Sequence, residues 1–489
     1  RVHHADQFFG LGISGPCQRQ EGRAGLLETA VFHQVARLFE AIGLRRRGKA
    51  QGHGKAKLFH AALLSGLLVG GAAAQGLTDD DYIAFDPAQA RLGQLLFHDK
   101  ILSGNRNIAC NTCHQHDRAG ADGVSLGIGQ GGVGLGPDRV APDGPHRIRA
   151  RVPRNAPALW NLGHKVIRVL FHDGRVQRTD YEKWDFETPA GDWLPAGLNS
   201  LLAAQALFPM ASHAEMAGEH GENEVAGAVT NRIDRGWPIL ARRVRTIPEY
   251  GRRFVEAFPD VDRPGDVTIV HIANALAAFI GTEWRSHDSA WDDFVEMGTP
   301  LPPDAERGRQ LFFGRARCAS CHSGPLFTDQ EFHSAGVPPF GPGRTRRFDP
   351  MPRDVGRMAV TDDVKDAYRF RTPSLRNVAL TAPYGHNGAI PTLEAMIRHM
   401  GDPVASRAAW RPEDAALPAV PWLDEADFVL QSDRREMARQ AAAIDWRPVT
   451  LGDAEVADIA AFLRALTDKD PFERPLGRPD RVPSGLPVD

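Results

Sequence analysis

Apolar residues recur every three or four positions in four segments of the chain, and these segments form two similar pairs. The longer segments, at residues 269–284 and 455–467, predict amphipathic helices with one apolar face. The shorter segments read "LGQLLF" at 92–97 and "RGRQLFF" at 307–313, and in both a glycine is followed after two residues by Leu-Phe. Few runs of alternating β-branched residues occur elsewhere. The pattern therefore predicts a mainly α fold in which one helical unit occurs twice.

A stretch rich in proline and glycine, "GTPLPPD" at 298–304, lies between the two helical units and has the composition of a linker. We therefore predict an N-terminal domain over residues 75–297 and a C-terminal domain over residues 298–489. Apolar residues make up 42% of the chain and charged residues 24%, which is typical of globular proteins with a normal core. The formal net charge of −3 gives no reason to expect a nucleic-acid partner.

The segment "KAKLFHAALLSGLLVGGAAAQG" at 55–76 has the pattern of a secretory signal peptide. It has a basic start, an apolar run from Leu58 and three alanines before the predicted cleavage site. A membrane anchor is the alternative, but the apolar run is short and glycine-rich for a bilayer span. We expect residues 55–74 to be removed on export to the periplasm, which leaves a chain without a membrane span. Residues 1–54 have no assigned role.

Four of the five cysteines lie in two copies of one pattern, "CNTCH" at 110–114 and "CASCH" at 318–322. In C-x-x-C-H, two thiols one helical turn apart can bond to the vinyl groups of one haem, and the adjacent histidine can bind its iron. A zinc site would need two cysteine pairs close together, and a thioredoxin-like redox pair would not need a histidine in matching places. The pattern therefore predicts two covalent c-type haems. The residues predicted to bind them are Cys110, Cys113, His114, Cys318, Cys321 and His322.

Further segments accompany the two motifs. They are "PRNAPALWN" at 153–161, "LFHDGR" at 170–175, "AEM" at 214–216 and "TPSLRNVALTAPYGHNG" at 372–388. Together with the C-x-x-C-H motifs, they resemble the bacterial di-haem cytochrome c peroxidases, the superfamily that includes MauG. The resemblance covers roughly residues 82–470 and implies two cytochrome c-like haem domains with long loops.

The resemblance also implies how the two domains divide the work. The N-terminal, peroxidatic haem would react with H2O2, and the C-terminal, electron-transfer haem would receive electrons from a small soluble protein, either a cytochrome c or a cupredoxin. One Ca²⁺ would lie between the domains. Family members are often dimers, which leaves a homodimer open for this chain.

Glu215, in "SHAEMAG", falls where the family has its catalytic carboxylate. Reduction of H2O2 to water takes two electrons and two protons, and a nearby carboxylate can move a proton from one peroxide oxygen to the other. A glutamate in a loop is more commonly an exposed, solvated residue. The family context favours the catalytic role.

The resemblance places Met400, in "MIRHMGDP", at the position of the second haem's axial methionine. A thioether opposite histidine suits an electron-storing haem, because it favours the ferrous state. His399 is the competing ligand and would give a lower potential. An ordinary core methionine is the third alternative.

The calcium ligands that the resemblance implies are the side-chain oxygen of Asn155 and the main-chain carbonyls of Thr381 and Pro383. Such hard oxygen donors are the ligands that Ca²⁺ prefers. One departure concerns the path between the haems, where related enzymes have tryptophan before Asp-Gly-Arg and this chain has His172. A neutral imidazole is harder to oxidise than an indole, so either electrons pass directly between the haems or a neighbouring aromatic such as Phe171 or Trp160 takes the place of the tryptophan. His172 itself is assigned as an electron relay, with an iron ligand and a packing residue as the alternatives.

A second departure concerns the peroxide side of the first haem. Many family members rest with a second histidine on this iron, and this chain has Ile128 in that place. His146 is the one other candidate before the "PRNAP" segment, and its basic neighbours do not help it to reach a ferric iron. We therefore expect an open first site that needs no reductive activation.

Three functions follow from these residues. The first is a periplasmic peroxidase that takes electrons from a small donor protein. The second is a MauG-like oxidase that modifies a protein or a small substrate, which His172 and the long insertions favour. The third is an electron carrier without catalysis, in which Glu215 would be incidental.

Overall fold

The computed structural model describes residues 76–144, 147–180, 185–346, 349 and 351–489. The expected signal peptide, the segment before it and His146 therefore lie outside the described residues. Within the described part of the chain, no helix combines the length and the hydropathy needed to cross a bilayer.

The described chain is rich in helix and contains little sheet, as the mainly α prediction states. Its α-helices are α1 (Pro87–Phe97), α2 (Leu201–Ala206), α3 (Glu224–Asn231), α4 (Trp237–Arg245), α5 (Pro248–Ala257), α6 (Ile269–Glu283), α7 (Ala290–Met297), α8 (Pro303–Phe313), α9 (Met358–Thr361), α10 (Leu393–Gly401), α11 (Pro403–Ala409), α12 (Asp424–Asp427), α13 (Arg434–Ala442) and α14 (Asp453–Arg464). Its strands are β1 (Val169–Leu170), β2 (Val176–Arg178), β3 (Phe186–Glu187), β4 (Phe332–His333) and β5 (Phe370–Arg371). Strands β1, β2 and β3 form one antiparallel sheet in that order, and β4 pairs antiparallel with β5.

The two predicted pairs of helices pack in the same way. Helix α1 crosses α6 at Gly93, where a Cβ atom would lie 1.9 Å from the carbonyl oxygen of Ala275. Helix α8 crosses α14 at Gly308, where a Cβ atom would lie 1.8 Å from the carbonyl oxygen of Asp458. Only glycine permits such close approach of two helix backbones. A helix crossing thus explains the glycine in each short segment. The phenylalanines that follow these glycines in sequence, Phe97 and Phe312, are both buried.

A second repeated segment follows each C-x-x-C-H motif. Residues 155–161 read "NAPALWN" and residues 371–377 read "RTPSLRN". Asn161 and Asn377 both have left-handed backbones, with φ of 59° and 58°. Each donates its backbone N–H to the chain just beyond the closing helix of its half, at Trp284 and Leu466 respectively.

The apolar core is formed by two main clusters. One surrounds α1 and α6, and the other surrounds α8 and α14. Trp291 of α7 packs in the second cluster, while Leu476 and Leu486, which follow α14, pack against the first. The domain division between residues 297 and 298 remains a prediction, and these packed side chains lie across it.

Candidate functional site

The first C-x-x-C-H motif forms a tight turn. The backbone N–H of His114 donates to the carbonyl oxygen of Cys110 at 3.0 Å, and neither cysteine of the motif is in a disulfide. Burial raises the pKa of Cys110 and of Cys113 to about 12, so both are thiols. The two sulfur atoms are therefore reduced and available for a covalent bond.

His114 is held in one tautomer by its surroundings. Its Nδ1 lies 2.9 Å from the carbonyl oxygen of Gly120, so Nδ1 carries the hydrogen and Nε2 keeps the lone pair. Burial lowers the pKa of His114, which keeps the ring neutral. A neutral imidazole with a free Nε2 and a hydrogen-bonded Nδ1 is the form that binds iron.

The second motif repeats this geometry. Nδ1 of His322 lies 3.0 Å from the carbonyl oxygen of Phe327, and burial lowers the pKa of His322 as well. Cys318 and Cys321 are also reduced. Both histidines therefore have the same tautomer, and each can bind an iron through Nε2.

A cavity of about 700 Å³ lies against the second motif. Cys318, Cys321 and His322 line it, and so does Met400 at the end of α10. His399 is not among its lining residues: both of its ring nitrogens are hydrogen-bonded, Nδ1 to Ser406 Oγ at 3.0 Å and Nε2 to the carbonyl oxygen of Ala335 at 2.9 Å. Of these two neighbours, Met400 is the one whose side chain is available at the cavity.

Two partly buried arginines in the wall of this cavity have no carboxylate partner among the described residues. Arg371 donates to the main-chain oxygens of Phe171 and Thr372, and Arg407 donates to those of Gly336 and Val337. Burial lowers the pKa of Arg371 to about 10 and lowers that of Arg407.

Buried charges are normally paired, so these two guanidinium groups call for an anion in the cavity. A haem brings two carboxylates. The thiols, the histidine, the methionine and the two arginines at the second motif together fit that cofactor. Sequence reasoning missed both arginines, although Arg371 directly precedes the quoted "TPSLRN" segment and stands in the second repeat.

Glu215 lies in a π-helical turn, His213–Ala217. Its carboxylate is near the first motif: burial is the main cause of the raised pKa of Cys113, and the charges of Asp122 and Glu215 add to it. The fold thus places the charge of Glu215 close enough to Cys113 to act on that thiol, although the two residues are about a hundred positions apart in sequence. Single π-turns are frequent at functional sites.

His172 lies between the segments that follow the two motifs. Its ring Nε2 is 3.1 Å from the carbonyl oxygen of Asn155, and its own carbonyl accepts the backbone N–H of Arg371 at 2.8 Å. Burial, helped by the nearby charge of Arg154, lowers the pKa of His172 to about 4, so the ring is neutral. His172 also lines the cavity.

The three residues expected to bind calcium lie in the same wall of the cavity. Asn155, Thr381 and Pro383 all line it, and Asn155 and Pro383 both pack against Gly388. The amide nitrogen of Asn155 donates to the carbonyl oxygen of Val124 at 2.8 Å, which leaves the amide oxygen for another partner. All three residues therefore lie at one cavity, and the calcium site stays a prediction.

Ile128, which stands where related proteins have a second histidine, is fully buried in a small apolar cluster with Ile148 and Val420. His146, the alternative ligand, lies outside the described residues. The expectation of an open first site therefore stays a prediction.

Two C-x-x-C-H turns with neutral histidines, in a helical fold, define this protein as a cytochrome of the c type with two haem-binding motifs. The chain belongs to the di-haem cytochrome c peroxidase family, whose model matches residues 87–299. Members of this family are oxidoreductases that act on peroxide, and the family implies two c-type haems.

Individual relatives agree with this assignment. The chain is 30% identical over 313 residues to cytochrome c551 peroxidase of Nitrosomonas europaea, covering 64% of this chain and 72% of that protein. It is 28% identical over 317 residues to the methylamine utilization protein MauG of Methylorubrum extorquens, covering 64% and 68%. Among solved structures, a MauG-like protein associated with microbial copper homeostasis aligns with a TM-score of 0.53 and 26% identity, over 83% of this chain and 97% of that one.

Proposed function

We propose that this protein is a periplasmic di-haem peroxidase that reduces H2O2 to two molecules of water with electrons from a small cytochrome c or cupredoxin. The observation that carries the proposal is that different side chains lie near two otherwise matching motifs. A carboxylate, Glu215, lies near the first motif, while a thioether, Met400, lines the cavity of the second. The first site is equipped for proton transfer and the second for holding an electron.

The residues that would hold the two haems are the six of the C-x-x-C-H motifs together with Met400. The haem irons, when bound, supply the peroxide-binding centre and the electron storage. The protein supplies the rest: the Gly120 and Phe327 carbonyls orient the two histidine rings through Nδ1. The role of Glu215 is to take a proton from one peroxide oxygen and deliver it to the other, so that water is the leaving group.

The two halves would then divide the reaction, with residues 75–297 as the peroxidatic domain and residues 298–489 as the electron-transfer domain. His172 is the relay between them, through its contacts with Asn155 and Arg371. Its ring is neutral and hard to oxidise. We therefore assign it a place on the electron path between the two haems, where it is not itself oxidised. The signal peptide over residues 55–74 accounts for the periplasmic location.

The test of this function is steady-state consumption of H2O2 by the purified protein with a reduced small cytochrome c. We expect two molecules of donor to be oxidised for each peroxide. Peroxide consumption without donor oxidation, or none at all, would contradict the proposal.

A MauG-like oxidase is the second candidate, because MauG and a MauG-like protein are matched about as well as a peroxidase is. Met400 argues for the peroxidase, since it stands where the resemblance gives MauG a tyrosine. Peroxide-dependent modification of an added protein substrate, with no oxidation of a reduced cytochrome, would favour this candidate.

Arg371 and Arg407 are proposed to bind the two carboxylates of the second haem. Replacing either with Gln should lower the midpoint potential of that haem, because a nearby positive charge stabilises the reduced form. The expected shift is on the order of 1 kcal/mol, or about 40 mV for one electron. Spectroelectrochemical titration measures it, and the exposed neighbour Arg411 provides the control variant Arg411→Gln. Equal potentials in all the proteins would contradict this role.

Calcium is proposed to bind at Asn155, Thr381 and Pro383. We expect exhaustive chelation to remove most of the peroxidase activity, because an ion bound by groups from both halves would hold them in register. Added Ca²⁺ should restore the activity, whereas Mg²⁺, which demands a smaller octahedral site, should not. Activity that persists after the metal content has fallen to zero would show that no calcium is needed.

A further inference from the structure

The glycine-rich segment at residues 127–140 is folded around one buried side chain. Val133 and Val140 pair through two backbone hydrogen bonds of 2.9 and 2.8 Å, which closes residues 133–140 into a loop. Residues 127–132 lie against Arg139 of this loop, and the whole segment 127–140 is called the hairpin. Arg139, only 5% exposed, points back into this hairpin and donates to three of its carbonyl oxygens. The bonds run from Nε to Ile128 at 2.6 Å, from Nη1 to Gly134 at 2.6 Å and from Nη2 to Gly129 at 2.8 Å.

The guanidinium group of Arg139 donates its hydrogen bonds to backbone carbonyl oxygens and not to a carboxylate. Within the described part of the chain, no carboxylate forms an ion pair with it, although the charges of Asp489 and Asp122 are near enough to raise its pKa against the larger effect of burial. Its planar fork offers donors in fixed directions, and here all three nitrogens are engaged by the hairpin. Such a fork determines the shape of a segment that its glycines would otherwise leave free.

The hairpin in turn packs against the π-helical turn that carries Glu215. A Cβ atom on Gly129 would lie 2.0 Å from the carbonyl oxygen of Ala214 and 2.9 Å from the Cα of Glu215. The backbone N–H of Gln130 donates to the same Ala214 oxygen at 3.3 Å. The backbone of the hairpin is therefore in direct contact with the backbone of the turn.

The turn has other contacts as well: Met216 and Ala217 are buried in the core around α1 and α6, and the side-chain amide of Asn223 donates to the carbonyl oxygen of Ala217 at 2.9 Å. Its carbonyl at Met216 accepts the N–H of Gly104 at 2.8 Å, and the ring of His213 is 2.6 Å from the Gly218 carbonyl oxygen. Those contacts hold the ends of the turn, whereas the hairpin contacts Ala214 and Glu215 themselves. A shift of the hairpin would move the carboxylate.

We propose that Arg139 is a positioning residue for Glu215: by fastening the 127–140 hairpin through three carbonyls, it sets where the catalytic carboxylate stands at the first haem motif. This inference rests on the proposed function, since it takes Glu215 as the proton carrier. It goes beyond that function in naming a residue outside the C-x-x-C-H motifs that acts on the geometry of the site through backbone contacts.

The experiment compares the Arg139→Gln and Arg139→Lys variants with the exposed control Arg149→Gln, all as haem-loaded protein. In Arg139→Gln we expect faster backbone hydrogen exchange in two segments, 127–140 and 213–217, with α6 and α14 unchanged. We also expect kcat for peroxide to fall about a hundredfold, the loss that a misplacement of about 1 Å can cause, with KM little altered. Lysine should recover part of both effects, because it can reach some of the carbonyls but lacks the fork.

A second variant tests the same contact from the other side. Gly129→Ala should push the hairpin away from the turn and reproduce both effects with Arg139 intact. Gly227→Ala, in α3, is its control, because a Cβ atom there meets no neighbour within 4 Å. If Arg139→Gln does not fold, the Gly129→Ala comparison still decides the matter.

Hydrogen exchange that stays unchanged at residues 213–217 in both variants would overturn the inference. So would full kcat in a variant whose hairpin exchanges faster. A failure of the proposed function has a different signature: the unmodified protein would not reduce peroxide, while the exchange results for the hairpin and the turn would remain as described.

Discussion

Replacing Glu215 with Gln is expected to leave both haems attached and to lower peroxide turnover by roughly 10²–10⁴-fold, the usual contribution of a positioned acid–base group. Gln has nearly the shape of Glu and keeps its hydrogen-bonding ability, but its amide cannot take up and release the proton. The loss should therefore appear in kcat. Steady-state kinetics with a reduced small cytochrome c measure it, and the absorption spectrum shows whether both haems are present.

The matched control is Glu219→Gln, because Glu219 lies four residues further along the same loop. Near-normal turnover is expected there, since no contact among the described residues links its carboxylate to the first motif. Should Glu215→Gln retain the activity of the unmodified protein, the assignment of the proton carrier would be wrong. A loss of haem in the Glu215 variant would make the role structural instead.

The second large effect is expected from Met400→His. Exchanging a thioether for an imidazole on the second haem should lower its midpoint potential by about a few tenths of a volt, because the thioether favours the ferrous iron. A haem that cannot be reduced by the donor cannot pass electrons on, so donor-dependent turnover should be lost. The near-infrared spectrum should change from a histidine–methionine to a bis-histidine signature.

A second methionine, Met396, also lines the cavity and provides the control Met396→His. That variant should keep the near-infrared band and the potential of the unmodified protein. If Met396→His loses the band and Met400→His keeps it, the ligand has been assigned to the wrong residue. A bis-histidine signature in the unmodified protein would instead point to His399, against its two hydrogen bonds to Ser406 and Ala335.

The helices and the haem-binding motifs were within reach of sequence reasoning. The segment predicted as a helix at residues 269–284 is the helix Ile269–Glu283, and the one predicted at 455–467 is Asp453–Arg464. Helical periodicity is a local property, and so is the spacing of C-x-x-C-H, whose residues lie within one turn of chain. The family resemblance likewise rests on short contiguous segments.

The roles at the site depended on contacts between distant parts of the chain. Met400 and His399 are adjacent in sequence, and only the packing of α10 distinguishes them. Met400 lines the cavity, whereas both ring nitrogens of His399 are hydrogen-bonded to other residues. No local pattern distinguishes them, because the side chains of methionine and histidine can both bind iron. The choice between them is made by which polar atoms find partners when the chain is folded.

What the sequence by itself determined about this protein is the class of fold, the repeated helical unit and the two C-x-x-C-H motifs, since each of these is encoded over a few neighbouring residues. Only the tertiary structure decided which arginines line the cavity without a carboxylate partner, and that Arg139 fastens a hairpin against the turn of Glu215. The physical reason is that a buried charge or a backbone carbonyl is satisfied by whichever group the fold brings near, and that group is often far away in the chain.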